Sequence, residues 1–409
     1  MVEPIVKRCA GLDVHKMSVV ATVLIEQDEG NLVEQTRSFG TFRHDRQALC
    51  DWLKDQRIEL AVMESTGSYW KSIYAALEAA GLTSYVVNAR HVKRVPGRKT
   101  DVGDSQWLAA LARVGLLCPS FIPPVDLREL RLITRHRMQL KGQLASEKNR
   151  LQKVLDDAGI RLGGVVSDIH GVSAQAMIDG LIAGQPVAKL ITYAKGQLQA
   201  KQTLLAAALD EPLSERHRLL LHELHRHIGF LEQQLQTLDE QIFTAMAPYQ
   251  QSWQLLQTIP GIDALSAALL IAELGVEMTR FGSAEQLAAW AGMCPGQNES
   301  AGKRKPVRAR KGNRVLRQIL CEVANAACKT NSQFQGKYQA LVIRRGHKRS
   351  IIALGHKLLR VMYAVLRSQQ PYRDPEIDYE ALGVAKNAPR WLKALEKYGY
   401  VTKLRPVTA

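Results

Sequence analysis

The sequence predicts an α/β sheet domain followed by a mainly helical remainder, and three observations carry that prediction. Strand and helix signals alternate over the first ninety residues, two long apolar stripes of helical period follow, and the excess positive charge is concentrated beyond residue 300. At 409 residues the chain is longer than one ordinary core, so two or three domains are expected.

Arg8–Leu12 and Ser18–Ile25 read as paired strands, Asp45–Asp55 as a helix and Glu59–Met63 as a buried strand. Ser68–Ala80 reads as a helix ended by Gly81, Ser84–Asn88 as a further strand, and Asp101–Gly115 as a helix. Pro119, Pro123 and Pro124 then break the chain. A long helix is expected from Leu127 to about Asp157 and a second from about Leu213 to Met246. In the second, Leu221, Leu224, Ile228, Leu231, Leu235, Leu238 and Ile242 recur in alternating steps of three and four, the pattern of a coiled-coil seam. The first carries a weaker seam at Leu130, Ile133, Leu140, Leu144, Leu151 and Val154, interrupted by Arg137 and Glu147. Pairing within one chain and pairing between chains both fit this pattern, and residues 160–210 give no clear periodicity. Next comes Thr258-Ile259-Pro260-Gly261-Ile262, before the apolar helix Ala264–Leu274. Such a turn offers backbone N–H groups to a phosphate, as a helix-hairpin-helix reader does through Gly261, although a plain helix start with a nearby proline explains it almost as well.

The net charge of +16 is unevenly placed. Residues 1–90 hold ten Lys/Arg and twelve Asp/Glu, whereas residues 301–360 hold sixteen Lys/Arg and one acid. A one-signed block of this kind fits a polyanion partner; a solubilising face would interleave both signs. No apolar run reaches the roughly 20 residues that span a bilayer, so no membrane partner is expected. Met1–Ala10 lacks a secretory apolar region, and the six cysteines show no C-x-x-C spacing, which together point to a cytoplasmic, nucleoid-associated protein without a zinc cluster.

Four acids form the first constellation. Asp13, in Gly11-Leu12-Asp13-Val14-His15-Lys16, and Glu64, in Val62-Met63-Glu64-Ser65-Thr66-Gly67, each stand at a strand end, where open α/β sheets gather their ligands. Asp101 and Asp104 stand three apart and share one side of the first turn of a helix. Together Asp13, Glu64, Asp101 and Asp104 supply hard oxygen donors for two Mg²⁺ ions in phosphodiester chemistry. Singly each acid has an ordinary role: Asp101 as a helix cap, Asp104 as a dipole partner, Asp13 in a turn, Glu64 on the surface.

Ser300 forms the second, in a glycine-punctuated loop after the helix Ala284–Trp290. It stands just ahead of Lys303, Arg304, Lys305, Arg308, Arg310, Lys311 and Arg314. Cations beside a hydroxyl can stabilise its attack on a phosphate, but a serine in a basic loop more often only contacts one. His222, His225 and His227 lack the H-E-x-x-H spacing and lie along the second long helix, so they read as its polar flank. Trp70, Trp107, Trp253 and Trp290 read as core or interface anchors.

Gly11–Lys16, Met63–Gly67, Thr100–Ala109 and Cys294–Lys305, in this order with a coiled coil between, resemble the transposases of the insertion-sequence-110 family, from about Cys9 to Arg360. The resemblance implies a RuvC-like, ribonuclease-H-type N-terminal domain carrying the acidic tetrad. It also implies that Ser300 is linked covalently to a DNA phosphate during strand exchange, that a structured bridge RNA pairs with donor and target DNA, and that a homotetramer combines one subunit's acids with another's serine. The chain then divides into a catalytic domain (1–125), a coiled-coil region with an insertion (126–250), a serine transposase domain (251–370) and a tail (371–409). Two rivals stand beside this reading. One is a Holliday-junction-type nuclease that hydrolyses DNA with the acids alone; the other is a nucleic-acid-binding scaffold whose acids are structural.

Overall fold

A computed structural model describes residues 5–27, 31–88, 103–294, 299–300, 303–304, 312–375, 377 and 379–400. The chain forms two compact units, Met1–Ile122 and Pro123–Ala409.

The first unit is built on a five-stranded mixed sheet. Its strands are β1 (Arg8–Val14), β2 (Ser18–Glu26), β3 (Leu32–Gly40), β4 (Leu60–Glu64) and β5 (Ser84–Val87), in the order β3-β2-β1-β4-β5. β1, β2 and β3 are joined antiparallel, whereas β4 runs parallel to β1 and β5 parallel to β4. β4 is a short apolar run because it is covered on both faces, as parallel strands are. Ala10, Leu12, Ala61 and Met63 face a core with α1 (Arg43–Asp55) and α2 (Trp70–Ala79), through Leu49, Leu53, Ile73 and Leu77. Cys9, Leu60, Val62 and Val87 face the other way, against Leu108, Ala109, Leu111 and Ala112 of α3 (Gly103–Arg113).

The paired strands and the three described helices of this unit stand where the sequence pattern puts them. β3 does not announce itself: Leu32–Gly40 is largely exposed and polar, an edge strand without apolar alternation, and only its pairing with β2 defines it.

The second unit is helical. α4 (Val125–Asp157) is followed by α5 (Val172–Ile182), α6 (Val187–Leu190), α7 (Gln202–Leu209) and α8 (Glu215–Thr244). α4 and α8 pack antiparallel within the chain, as the cross-helix pairs Arg137–Asp239, Lys148–Glu232 and Asp157–His217 show. The interruptions in the weaker seam are thereby explained. Arg137 lies buried against Asp239, its Nη2 donating to Oδ2 at 3.0 Å, and buried Glu147 accepts from Arg150 with His227 at 3.9 Å. Residues 160–210, unreadable in sequence, fold as short helices over Leu151, Leu155, Leu221 and Ile228 and make a core of their own. His225 is paired with Asp179 of α5 at 3.0 Å, which gives that histidine a structural place.

Six more helices follow: α9 (Gln250–Gln257), α10 (Ala264–Leu274), α11 (Ala284–Trp290), α12 (Arg314–Ala327), α13 (Gln333–Arg345) and α14 (His347–Ser368). A last helix, α15 (Tyr379–Lys397), packs on α13. α10 is buried from Ala267 to Leu274 and lies among α4, α9 and α12. Between α11 and α12 a two-stranded ribbon, β6 (Glu299–Ser300) with β7 (Lys303–Arg304), pairs Ser300 with Lys303.

Candidate active site

Strand register makes two acids of the first unit neighbours, and one glycine lets the helix that carries a third pack against the same face. β1 and β4 pair in parallel through Leu12 and Met63, so the next positions along, Asp13 and Glu64, are neighbours at the ends of the two strands. Side chains alternate along a strand, so Asp13 shares its face with Cys9 and Gly11, and Glu64 shares its face with Leu60 and Val62. That is the face on which α3 packs. α3 lies close because Gly11 has no side chain: a Cβ there would stand 2.0 Å from the Ser105 carbonyl oxygen and 2.5 Å from the Ala109 nitrogen. Two further contacts fix the helix, Ser105 Oγ to Thr22 Oγ1 at 2.8 Å and Cys9 Sγ donating to the Ala109 carbonyl at 3.3 Å. Asp104, one residue before Ser105, sits in the first turn of that helix. Asp13 and Glu64 thus share one face of the sheet at the carboxyl ends of β1 and β4, and Asp104 stands in the first turn of the helix packed on that face. Asp101 lies outside the described residues.

Asp13 and Glu64 are each half-buried and lightly held. Asp13 Oδ2 meets His15 Nε2 at 3.0 Å, and Thr66 Oγ1 donates to Glu64 Oε2 at 3.2 Å. Among the described residues neither forms an ion pair with lysine or arginine, and no three metal-type side chains stand close enough to share an ion. An all-carboxylate donor set is suited to a hard divalent cation such as Mg²⁺. His15 and Thr66 are partners that sequence reasoning missed; each stands two residues after its acid, the one signal available.

The serine segment is anchored at both ends. Gly312 approaches the backbone at Gly292 so closely that a Cβ would stand 2.3 Å from the Gly292 nitrogen, which brings the two ends of the intervening segment together. Asn313 caps α12 by accepting from the Val315 and Leu316 N–H groups, and its Nδ2 donates to Glu273 Oε2 at 2.6 Å. Glu273, on α10, is fully buried. Arg135 donates to both its carboxylate oxygens at 2.8 and 3.0 Å, and Arg131 donates to the backbone carbonyls of Ala272 and Glu273 at 2.7 and 2.5 Å. Burial pushes the Glu273 carboxyl up, but Arg135, Arg131 and Asn313 outweigh it and hold it below its ordinary range. Burial likewise pulls the Arg131 guanidinium down to about 10, against the raising effect of Glu273. This cluster, too, was not read from sequence. A glutamate inside the apolar run Ala264–Leu274 was the signal available.

Ser300, Lys303 and Arg304 are described by their backbone, and Lys305, Arg308, Arg310 and Lys311 lie outside the described residues. Arg314 begins α12. Gly261 has a φ of 88°, and a Cβ on it would stand 2.5 Å from the Ala327 nitrogen, so internal packing by itself requires glycine there.

A family model described as the transposase of the DEDD group of IS110 matches residues 10–160, and that of the transposase IS116/IS110/IS902 family matches residues 253–339. The chain belongs to the IS110/IS116 transposase family. The first match spans β1, β4 and α3, and the second spans the Ser300 ribbon and α12. Among relatives of this IS110/IS116 transposase, the transposase for insertion sequence element IS1111A of Coxiella burnetii is 23% identical over 327 residues, covering 78% of this chain and 80% of that protein. The transposase for IS1328 of Yersinia enterocolitica is 28% identical over 151 residues, covering 36% of this chain and 45% of that protein. A Thermus thermophilus RuvC structure is 15% identical with a TM-score of 0.22, covering 28% of this chain and 99% of that one. No helix among the described residues of this transposase is long and apolar enough to cross a membrane.

Proposed function

We propose that this transposase cleaves and exchanges DNA strands with two cooperating centres: a Mg²⁺-binding acidic site of Asp13, Glu64, Asp101 and Asp104 on a RuvC-like sheet, and Ser300 as the nucleophile. The observation that supports the reading is the register of Asp13 beside Glu64 on the face against which α3, with Asp104 in its first turn, is packed. Bound Mg²⁺ would supply charge stabilisation at the phosphate and acidify the attacking group. The chain's own residues do the rest: the four carboxylates hold the cation, and the cations from Lys303 to Arg314 hold and orient the DNA backbone.

Ser300 Oγ forms a new ester bond to phosphorus as one P–O bond of the DNA breaks, and the serine proton passes to the departing oxygen. The number of phosphate esters is conserved, so a second DNA hydroxyl can reverse the step on a new strand without an outside energy source. A bridge RNA selects the strands by base pairing in this reading, and a tetramer brings one subunit's acids to another's serine.

The test is a denaturing gel with radiolabelled DNA, Mg²⁺ and the RNA transcribed from the flanking DNA of the element. A protein–DNA adduct that maps to Ser300 and vanishes in Ser300→Ala is expected. Cleavage by the Ser300→Ala variant with no adduct in either protein would leave a hydrolytic nuclease instead, and intact DNA throughout would leave a binding scaffold.

A further inference from the structure

α13 and α15 form the walls of a groove of about 840 Å³ that the catalytic reading does not use. Its lining combines two chemistries. Ile343, 94% exposed, together with Leu382, Val384 and Trp391, presents apolar and aromatic surface to solvent. Lys337, Arg344, Lys386 and Arg390 supply four cations, and none of the described lining residues is acidic.

Around the lining residues Lys337 and Tyr379 the cations are crowded. Lys337 Nζ lies 5.9 Å from the centroid of the Tyr379 ring, and Lys357 Nζ donates to the Tyr379 hydroxyl at 3.5 Å. The same hydroxyl donates to Gln333 Oε1 at 3.4 Å, which holds the ring in place. Burial, then the charges of Lys357 and Arg360, push Lys337 below the ordinary lysine range. A half-buried ammonium among like charges gains most from an incoming anion.

We infer that the α13–α15 groove binds a single strand of nucleic acid, its phosphates on Lys337, Arg344, Lys386 and Arg390 and its unstacked bases on Tyr379 and Trp391. A duplex satisfies only half of this surface, since its bases are stacked on each other and leave Trp391 and Ile343 facing water. A single strand satisfies both, because every unpaired base has a face to stack and a phosphate beside it. Its lining does not include Ser300 or any residue from Lys303 to Arg314, the segment the catalytic reading needs, and its α15 wall lies beyond residue 339, where the family match ends. The inference rests on the chain working on nucleic acid. The Ser300 adduct reports that reading, and the groove has a readout of its own.

That readout is photo-crosslinking of the full-length protein to bromouracil-substituted single strands of about 15 nucleotides, in one DNA and one RNA arm, followed by peptide mapping. Crosslinks at Tyr379 or Trp391 are expected, and the arm that gives them names the natural strand. In parallel, Arg344→Glu with Arg390→Glu and Trp391→Ala should weaken single-strand binding about tenfold or more, the loss of one stacked base and two phosphate contacts, with the salt slope falling by roughly 1.4. Duplex binding should change little. Crosslinks confined to residues 295–317 with unchanged single-strand affinity would overturn the inference. So would a variant that alters only self-association or the binding of an acidic peptide, since the groove would then be a protein-docking surface.

Discussion

Asn313 and Glu273 meet at 2.6 Å, side-chain amide to carboxylate, and this one contact ties the start of α12 to the buried centre of the helical unit. The same asparagine caps α12 with its side-chain oxygen, so the last residue before the helix is fixed from both sides. Gly292 and Gly312, on either side of the Ser300 ribbon in sequence, are held together beside this contact. Glu273→Gln leaves Arg135 and Arg131 beside a neutral amide. Breaking a buried ion pair from one side costs about 3–5 kcal/mol, and the lower end applies because Arg135 is 42% exposed. Asn313→Ala loses a helix cap, about 1 kcal/mol, plus the bond to Glu273. Urea unfolding of both variants should show Glu273→Gln as the more destabilised; equal stability would mean that the cluster contributes no net energy.

The cluster also sets a pH dependence with a definite sign. Glu273 has a folded-state value below its ordinary 4.5, so its charge stabilises the fold at pH above that value. The contribution is lost as pH falls below it toward the folded-state value. The gap in unfolding midpoint between the native protein and Glu273→Gln should therefore be constant from about pH 7 to 6 and close progressively below pH 4.5. A gap that widens in acid would show that the carboxyl is raised rather than lowered.

Much of this was legible because local rules and tertiary demands agree. β1, β2 and β4 are short apolar runs and the helices α1, α2 and α4 each bury an apolar face of helical period, and both patterns are in the sequence. The acids Asp13 and Glu64 stand out because a carboxylate at the end of a buried strand has few structural uses. β3 escaped notice because an exposed edge strand has no face to bury, and the insertion at 160–210 because its helices are too short for periodicity to show. Whether α4 and α8 pair within or between chains could not be decided from a seam; the antiparallel ion pairs decide it for one chain. Glu273 was hidden for the opposite reason. Its partners stand 138 and 40 residues away in sequence, and only the fold brings them together.

Gly11 is the residue that lets α3 reach the sheet. Gly11→Ala places a Cβ 2.0 Å from backbone, where nothing flexible can yield, so α3 must shift. Overpacking of this kind costs about 1–3 kcal/mol, and the shift carries Asp104 away from Asp13 and Glu64. Strand exchange should fall by more than stability alone accounts for, measured at a temperature where the variant remains folded by circular dichroism. Full activity in a folded Gly11→Ala protein would detach Asp104 from the catalytic set.

The sharpest division between a metal site and a structural one comes from Asp13→Asn and Glu64→Gln. Each change keeps the volume and the shape, and each described partner, His15 or Thr66, can still hydrogen-bond to the amide. Neither acid is described in an ion pair with lysine or arginine, so folding stability should move by less than about 1 kcal/mol. Loss of one negative oxygen donor matters far more to a divalent cation, which binds hard anionic oxygens. DNA cleavage in Mg²⁺ should therefore fall by three or more orders of magnitude, about 4 kcal/mol or more in the barrier, while nucleic-acid affinity stays within a few-fold. Isothermal titration of Mg²⁺ or Mn²⁺ into the full chain supplies the independent reading: weaker binding in both variants with unchanged thermal unfolding in the absence of metal. A variant that cleaves normally removes its residue from the site, and one that unfolds without losing metal affinity returns that acid to a structural role.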